Sequence, residues 1–369
     1  MPTICHVTTV HQSDDVRIYE RECRSLATLP GYRVVIVGAG SLPEGSAVEH
    51  VALPPRPTNR AKRILASQKR AFSATREVDA DVYHFHDPEL LPVALLLARQ
   101  GKQIVWDAHE NYEEQLSVDG AKDWVPGPVR NLTRSAMTKM LDLVDDRAAG
   151  IVAATPDIAE RYHNPRTMLV GNESRLEDFA ACAPDFDSKR VLFTGQPHSR
   201  HCFPEVVDAV AALPDLTLTL AGRQPTTPAW QEAQAELGDR LEYFGWLDRA
   251  ALCRAMSQSA VGVVAYDDRP THQKNSPNKI FEFAAAGLPI VSTPNASIRA
   301  MVEQGGFGVV AAGYGARDLE AALREALSDR ERWQQMSDAA RSWAQAQGTW
   351  EKSEAQLFEL YRAIAPPTE

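Results

Sequence analysis

The stretch NSPNKIFEFAAAGLPIV, at residues 275–291, contains a loop, a helix, a glycine stop and a strand in succession. Ser276 or Asn278 can cap the helix. Gly287 supplies the conformationally permissive residue at which such a helix ends, and Pro289 prevents the helix from continuing. We therefore expect a short helix that leads directly into a buried strand, the repeating unit of an α/β fold.

Apolar runs and helical segments alternate on both sides of this stretch. The runs are short and nearly continuous, which is typical of strands buried on both faces of a parallel sheet. Segments such as 16–29 and 89–100 have the helical period and predict covering helices. The predicted strands lie at residues 4–10, 34–37, 82–85, 104–106, 151–153, 191–194, 216–221, 241–244, 261–265, 290–292 and 309–311. A polar segment at 172–189 interrupts the pattern, which indicates two α/β domains.

The composition is that of an ordinary globular protein. Of the 369 residues, 44% are hydrophobic and 24% are charged. The formal net charge of -10 argues against broad nucleic-acid binding, which usually needs a basic surface. No apolar run approaches the roughly 20 residues needed to span a bilayer, and the first residues lack the basic region of a secretory signal. We therefore expect a cytoplasmic protein whose five scattered cysteines are reduced: Cys5, Cys23, Cys182, Cys202 and Cys253.

The start of the helix in the opening stretch suits a diphosphate. A helix N-terminus at the carboxyl edge of a sheet presents unpaired N–H groups and the positive end of the helix dipole. Lys279 adds a full positive charge there, and Glu282, three residues further on the same face, can accept hydrogen bonds from a ribose diol. The alternative is that Lys279 and Glu282 form only a surface helical pair.

The segment NKIFE at 278–282, followed by AAGLPIV at 285–291, resembles the family-four glycosyltransferases, retaining enzymes of the glycosyltransferase B (GT-B) fold. The resemblance implies two doubly wound Rossmann-like domains that face a cleft. It also implies transfer of a sugar from a nucleotide-diphosphate sugar to an acceptor, with Glu282 holding the ribose hydroxyls. Where the family often has a first glutamate this chain has Lys274, so the identity of the transferred sugar stays open.

This resemblance covers nearly the whole chain and sets the predicted domains. We expect an acceptor-side Rossmann-like domain at residues 1–171 and a linker at 172–189. A nucleotide-sugar-binding Rossmann-like domain should follow at 190–347. Helical periodicity pauses near Gly348 and then resumes, and in this fold the helix at 348–369 crosses back to the N-terminal domain.

A second match to the family is FTGQPHSR at 193–200, which resembles the first strand and loop of its nucleotide domain. The resemblance implies that Arg200 clamps phosphate oxygens. Gly222 ends the next strand, near which the base lies in the family, although this glycine can equally be a plain turn. Ser276 and Asn278, at the helix start, complete the predicted nucleotide-sugar site.

Two histidines in the first domain lie in the motif HFHDPE at residues 84–89, where a short strand ends. Ligands favour that edge of a parallel sheet. The pair His84 and His86 suggests a metal site, but no third and fourth ligand follow at a recognisable spacing. We therefore expect no metal and no other cofactor, and we assign His86 to the acceptor side.

The motif DAHE at 107–110 follows the next predicted strand. In the resembling enzymes a histidine followed by an acid at this strand end faces the transferred sugar. The resemblance thus implies a catalytic role for His109, together with Arg200 and Lys279, and an acceptor-side role for Glu110. The alternative is that His109 is merely a hydrogen-bonded histidine at a strand end.

Further acceptor-side residues are expected after the first strand, in HQSDDVR at 11–17, which resembles a subset of the family. Asp15 and Arg17 are candidates for orienting an acceptor, whereas Asp14 or Asp15 can instead cap the following helix. The segment at 111–128 is expected to shape the acceptor site. The basic helix at 61–78 allows peripheral membrane contact, but a solvated face is favoured.

The sequence therefore predicts a retaining glycosyltransferase with a small-molecule or glycan acceptor. Three alternatives stay open. A nucleotide-sugar epimerase of the same fold would need no acceptor, and a pseudo-glycosyltransferase would couple a cyclitol nucleotide. A non-catalytic sugar-nucleotide sensor would bind the donor without releasing a nucleoside diphosphate.

Overall fold

The computed structural model describes residues 1–54, 60–113, 127–223, 225, 227–347 and 349–367. The chain forms two compact units. Unit 1 comprises Met1–Gly171 and Glu351–Glu369, and unit 2 comprises Asn172–Trp350. Each unit is built on one parallel sheet with helices, which confirms the predicted α/β fold class.

Unit 1 contains a seven-stranded sheet in the order β3-β2-β1-β4-β5-β6-β7. All six strand pairs are parallel, and the order reverses between β1 and β4, as in Rossmann folds. The strands are β1 Thr3–Gln12, β2 Arg33–Ala39, β3 Glu49–Leu53, β4 Val82–Phe85, β5 Gln103–Ala108, β6 Gly150–Ala153 and β7 Thr167–Leu169. The α-helices are α1 Arg24–Thr28, α2 Arg60–Val78, α3 Leu91–Arg99, α4 Gly127–Arg147 and α5 Pro156–Ala159.

Side-chain alternation gives the unit 1 sheet two different faces. Cys5 and Val7 on β1, with Tyr83 and Phe85 on β4, belong to one apolar cluster packed under α2 and α3. Residues between them along each strand point to the opposite face. That opposite face carries the buried His6, His84 and His86.

Unit 2 repeats this strand order with six strands, β10-β9-β8-β11-β12-β13, which reverses between β8 and β11. The strands are β8 Arg190–Thr194, β9 Thr217–Ala221, β10 Leu241–Gly245, β11 Val261–Val264, β12 Ile290–Ser292 and β13 Gly308–Val310. The α-helices are α6 Phe203–Ala211, α7 Pro228–Leu237, α8 Arg249–Ser257, α9 Pro270–Gln273, α10 Asn278–Ala286, α11 Ala296–Gly305, α12 Ala316–Ala326 and α13 Arg330–Gln347. The last helix, α14 Trp350–Ile364, lies in unit 1 from Glu351 onward.

Helix α14 is anchored to unit 1 by side-chain hydrogen bonds. Ser25 donates to Glu354 at 2.6 Å, and the Gln103 amide donates to the Ile364 carbonyl at 2.7 Å. The Tyr361 hydroxyl lies 2.9 Å from His84 Nδ1. These contacts join the end of the chain to α1 and to the strands β4 and β5.

Some local expectations differ from the structure. The segment expected as one helix at 16–29 is a π-helix, Val16–Cys23, followed by α1. The segment expected as a linker at 172–189 lies in unit 2, where Phe179 is fully buried. Cys182 and Cys253 form a disulfide with a Cα–Cα distance of 5.3 Å, so the expectation of five reduced thiols is wrong for this pair. The fold joins two cysteines 71 positions apart, which their spacing does not reveal.

Within the part of the chain that the structure describes, no helix combines the length and the apolar character that crossing a bilayer requires.

Candidate active site

Three glycines mark the carboxyl edge of the unit 2 sheet, where β8, β9 and β10 end. The Gly195 N–H donates to the Ala221 carbonyl at 2.9 Å, and the Gly222 N–H donates to the Gly245 carbonyl at 2.9 Å. A Cβ on Gly222 would lie 2.4 Å from the Gly195 carbonyl oxygen, so only glycine fits there. The need for glycine at this position thus comes from backbone packing against Gly195.

Helix α10 begins with Asn278, directly after Pro277, whose extended backbone forms the N-cap. The expectation that Ser276 or Asn278 caps this helix is therefore wrong, because proline occupies the cap and Asn278 is already helical. The Ser276 carbonyl instead accepts a hydrogen bond of 3.0 Å from the Asn172 amide. At the other end Gly287 is left-handed, with a φ of 72°, as predicted.

Lys279 lies in the first turn of α10 and is buried, with 9% of its surface exposed. Its Nζ lies 5.0 Å from the Phe193 ring centre and 5.4 Å from the Tyr266 ring centre. No hydrogen-bond partner for Nζ occurs among the described residues. Burial lowers the pKa of Lys279 to about 8, although Glu282 opposes this shift. The ammonium faces the Gly195 backbone, since a Cβ there would lie 3.8 Å from Nζ.

Glu282, one turn further along α10, is buried and accepts a hydrogen bond of 2.6 Å from Arg249 Nη1. Arg249 is the first residue of α8, which Asp248 caps by accepting from the Ala251 N–H at 2.7 Å. The surface-pair alternative for Lys279 and Glu282 is therefore wrong, because both side chains are buried. A fixed carboxylate therefore lies one turn from Lys279 on the same helix.

Arg200 and His201 lie together in a 3-10 turn, Ser199–His201, that follows β8. The Arg200 carbonyl accepts from the Asp267 N–H at 3.0 Å. The His201 ring lies edge-on to Tyr266, with 5.1 Å between ring centres, and its Nδ1 is 2.9 Å from the Gln196 carbonyl oxygen. Burial and the Lys279 charge lower the pKa of His201 to about 4, which keeps this imidazole neutral.

Lys274, which stands where the family often has its first glutamate, directly follows the short helix α9. Within α9, His272 Nδ1 lies 2.5 Å from Asp267 Oδ1. Arg269 Nε donates to the other oxygen of Asp267 at 2.8 Å. Asp267, Arg269 and His272 thus form a hydrogen-bonded network in the segment just before Lys274, the position that differs from the family pattern.

In unit 1, Asp15 lies where the first strand leads into the π-helix. Its carboxylate accepts from the N–H groups of Arg17 at 2.9 Å and Ile18 at 3.2 Å, which confirms the helix-cap alternative. His11 Nδ1 lies 3.4 Å from Asp15 Oδ2. Although burial acts to lower the pKa of His11, Asp15 and Asp87 raise it to about 9. The strand end therefore carries a protonated histidine.

The structure places Arg17 and His86, two of the expected acceptor-side residues, in the interior of unit 1. The Arg17 guanidinium makes two hydrogen bonds to Asp107, of 2.9 and 2.8 Å. His86 Nδ1 lies 2.9 Å from the same carboxylate. Their assignment to the acceptor side is corrected on this ground, because both polar heads are turned inward to Asp107.

His109 and Glu110 follow β5, the strand next to β4 in the unit 1 sheet. Glu110 is exposed, and His109 is partly exposed. His109 Nδ1 lies 3.5 Å from Asp107 Oδ2, and its ring is edge-on to His11 at 5.3 Å. The structure thus brings His109, Glu110 and His11 together at the carboxyl edge of unit 1, where Rossmann folds bind ligands.

Two residues that the sequence did not single out join the histidines at 84 and 86. His6 Nδ1 lies 3.0 Å from His86 Nε2, and Glu22 Oε2 lies 3.7 Å from His84 Nδ1. The expectation of no metal rested on the lack of a third and fourth ligand. The structure removes that premise, because His6, Glu22, His84 and His86 form a buried group, which we call the histidine cluster.

Two family models match the chain in succession. The model described as Glycosyltransferase Family 4 matches residues 16–167, and the model described as Glycosyl transferases group 1 matches residues 188–329. The chain therefore belongs to the glycosyltransferases that these two models describe. Glycogen synthase of Mycobacterium tuberculosis is 29% identical to it over 298 residues, which cover 77% of this chain and 69% of that protein.

Solved structures with the same fold cover this glycosyltransferase almost completely. Sucrose-phosphate synthase from Thermosynechococcus elongatus has a TM-score of 0.74 at 19% identity, with 99% of each chain covered. WaaG, a glycosyltransferase involved in lipopolysaccharide biosynthesis, has a TM-score of 0.70 at 15% identity, covering 98% of this chain and 99% of that one. Anabaena HepE in complex with UDP and glucose has a TM-score of 0.69 at 13% identity, covering 97% and 99%. These likenesses confirm the GT-B fold.

Sequence reasoning missed several residues of the glycosyltransferase. Arg249 pairs with Glu282, which lies 33 residues away in sequence, so no local motif predicts this pair. His11 lies only four residues before Asp15, so this spacing on the first strand was the one available signal. Glu22 had no signal, because its partners lie far along the chain on β1 and β4.

Proposed function

We propose that this glycosyltransferase moves a sugar from a nucleoside-diphosphate sugar to an acceptor nucleophile with retention of the anomeric configuration. The observation that carries the proposal is the Lys279 ammonium, buried without a hydrogen-bond partner among the described residues and facing the Gly195 backbone. A buried charge of this kind is costly unless a ligand neutralises it. A diphosphate supplies the missing negative charge.

The donor diphosphate would lie against the Gly195 loop and the first turn of α10. The N–H groups at the start of that helix, the helix dipole and Lys279 would all act on the same anion. Arg200, in the neighbouring turn, would clamp a second phosphate oxygen. This charge would stabilise the nucleoside diphosphate as it leaves, so the transfer step needs no metal at the diphosphate.

Glu282 would accept hydrogen bonds from the ribose hydroxyls, and Arg249 would hold its carboxylate in place. A carboxylate already fixed by a 2.6 Å hydrogen bond loses little freedom when the nucleotide binds. Structures of the similar HepE contain UDP and UDP-glucose, which supports a uridine nucleotide as the first donor to test. Ser276, Asn278 and Gly222 are proposed to line the same nucleotide site.

In unit 1, His109 is proposed to contact the transferred sugar, and Glu110 and Asp15 to serve the acceptor. The departing phosphate would assist attack from the same face of the sugar, so no protein residue is named as general base. Because Lys274 stands where the family often has its first glutamate, the proposal does not specify which sugar is transferred. The acceptor can be a small molecule or a glycan. A cytoplasmic location also belongs to this proposal.

The experiment is a thermal-shift screen of the full chain with UDP, ADP, GDP and TDP. A ligand at 100 times its dissociation constant adds about 2.7 kcal/mol of stability. Glu282→Ala and Arg200→Ala should each weaken the nucleotide that binds. Arg324→Ala is the matched control, because this exposed arginine pairs with Glu320 on the surface of α12.

The screen is followed by turnover with the preferred nucleotide sugar. Release of nucleoside diphosphate that depends on an added acceptor, with an α-linked product from an α-linked donor, would support the proposal. Stabilisation by none of the four nucleotides would refute it. Turnover of the donor without any acceptor would favour the epimerase, and binding without turnover would favour the sensor.

A further inference from the structure

The histidine cluster lies inside unit 1, whereas the proposed function places the donor diphosphate in unit 2. His6, Glu22, His84 and His86 are each 0% exposed. One nitrogen or oxygen from each of these four side chains lies within 4.8 Å of those from the other three. Four potential ligand atoms therefore converge in a protein interior.

The fold explains why they converge. His6 on β1 pairs directly with His84 on β4, and His86 directly follows the end of β4, two positions after His84. Glu22 comes from the last turn of the π-helix Val16–Cys23. π-helical turns are rare and occur frequently at functional sites, where the extra residue redirects a side chain.

The distances between these atoms suit a common metal centre. Glu22 Oε2 lies 3.8 Å from His6 Nδ1 and 3.7 Å from His84 Nδ1, and His6 Nδ1 lies 3.0 Å from His86 Nε2. Ligands bound to zinc at roughly 2.0–2.2 Å lie about 3.3–3.6 Å apart in a tetrahedral site. The three separations given bracket this range, and all four atoms lie within 4.8 Å of one another. Metal binding would require the side chains to move together and would replace the hydrogen bonds that His6 Nδ1 makes to His86 Nε2 and that His84 Nδ1 makes to the Tyr361 hydroxyl.

Glu22 is the strongest indication that something is bound here. Neither of its oxygens has a hydrogen-bond partner among the described residues. Arg17 Nε lies 3.3 Å from Oε1, but that guanidinium already makes two hydrogen bonds to Asp107. A fully buried carboxylate without hydrogen bonds is expensive to maintain, whereas a coordinated metal ion satisfies it.

The surroundings of His86 point in the same direction. Its Nδ1 donates to Asp107 at 2.9 Å, which leaves Nε2 as a lone-pair donor facing the cluster. A carboxylate behind a ligating histidine is the usual arrangement around protein-bound zinc, since it fixes the ring and raises its basicity. Arg17 in turn holds Asp107 in position.

We propose that the histidine cluster binds one divalent transition-metal ion of the zinc type, which braces β1, β4 and the π-helix of unit 1. Three imidazoles and one carboxylate favour zinc and its neighbours over magnesium or calcium, which prefer oxygen ligands. Four protein ligands in a buried site indicate a structural role. This ion is separate from the transfer step, which relies on Lys279 and Arg200.

The test uses the full chain, first stripped with EDTA and then dialysed against zinc chloride in the presence of a weaker competing chelator. The bound metal is measured by plasma mass spectrometry. We expect about one zinc ion per chain, and a higher unfolding temperature for the loaded protein than for the stripped protein. Cobalt loading should give the visible absorption of a four-coordinate site.

Glu22→Gln should lower the affinity for zinc by at least tenfold and abolish the metal-dependent rise in unfolding temperature. Asp107→Asn keeps all four ligands and should lower the affinity by roughly 10- to 100-fold, because it removes the partner of His86. His50→Gln is the matched control, since His50 lies in unit 1 on β3 and hydrogen-bonds Ser13 outside the cluster. Circular dichroism establishes that each variant is folded.

The proposal is overturned if the wild-type chain takes up no zinc under these conditions. It is also overturned if Glu22→Gln retains zinc as firmly as His50→Gln does. In either case the cluster is a hydrogen-bonded histidine network. Nucleotide binding in unit 2 is measured in parallel, so failure of the metal site and failure of the proposed donor site give separate results.

Discussion

Lys279 in unit 2 and the histidine cluster in unit 1 are both buried polar groups with unmet hydrogen bonding, but their chemistry is opposite. Lys279 is a cation that lies against an exposed glycine loop at the sheet edge. The cluster consists of lone-pair donors enclosed within the unit. The first arrangement can accept an anion that arrives and leaves with each reaction, whereas the second suits a cation that stays.

The two units share a strand order, so the difference comes from a few side chains on one scaffold. Burial lowers the pKa of Lys279 to about 8, so this side chain is still protonated in most of the molecules at pH 7. Burial also lowers the pKa of His6 and of His84 well below the usual range, which leaves both imidazoles neutral. The same physical cause thus leaves a charged lysine in one unit and uncharged imidazoles in the other.

The largest effect is expected from Lys279→Met, which removes the cation and keeps the apolar stem between Phe193 and Tyr266. Nucleoside-diphosphate affinity should fall about 100-fold, equivalent to about 3 kcal/mol. The unfolding free energy of the nucleotide-free protein should rise by roughly 1–3 kcal/mol, because a buried charge without a partner is removed. Isothermal titration measures the first change, and chemical denaturation measures the second.

Lys69→Met, a change of a lysine on the surface helix α2 of unit 1, is the control for this experiment. It should leave both quantities unchanged. A Lys279→Met protein that is less stable and still binds nucleotide normally would remove the contrast between the two units, since Lys279 would then be only a packing residue.

A smaller effect is expected from Gly222→Ala, which tests the backbone rather than the charge. The added methyl group would meet the Gly195 carbonyl at 2.4 Å, so the loop under Lys279 must move. Overpacking of this kind costs roughly 1–3 kcal/mol of stability, and we expect weaker nucleotide binding to accompany it. Thermal unfolding with and without the nucleotide measures both.

Gly306→Ala separates loop displacement from general loss of stability. Gly306 has a positive φ of 65°, and nothing lies within 4 Å of the position that a Cβ would occupy. We expect a cost of about 1 kcal/mol and an unchanged nucleotide affinity. Equal losses of affinity in both variants would show that the Gly195 loop has no special role.

Much of the fold could be predicted because central parallel strands are buried on both faces and therefore read as continuous apolar runs. The strands β3 and β7 were missed. They are the two edge strands of the unit 1 sheet, and both consist of partly buried and exposed residues. A strand covered on one side only does not produce a continuous apolar run.

The local part of the site could also be predicted, since Lys279, Glu282 and Gly287 belong to one short helix. The long-range part could not. Arg249 reaches Glu282 from another helix, and the histidine cluster joins residues 6 and 22 to residues 84 and 86. Such groups are assembled by strand register and helix packing, neither of which leaves a spacing signal in the sequence.

The smallest expected effect is a pH dependence of the Lys279 site in unit 2. In the free protein Lys279 loses its proton around pH 8, so nucleoside-diphosphate affinity should fall about tenfold between pH 7 and pH 9. Because the unfolded chain holds this proton up to its ordinary higher pKa, the Lys279 contribution to the unfolding free energy should instead rise with pH above 8. Titrations at several pH values, with Lys279→Met as the reference, measure both slopes. If affinity and unfolding free energy change with pH in the same way in wild type and Lys279→Met, the pH dependence belongs to another group. Lys279 would then not be the cation that binds the diphosphate.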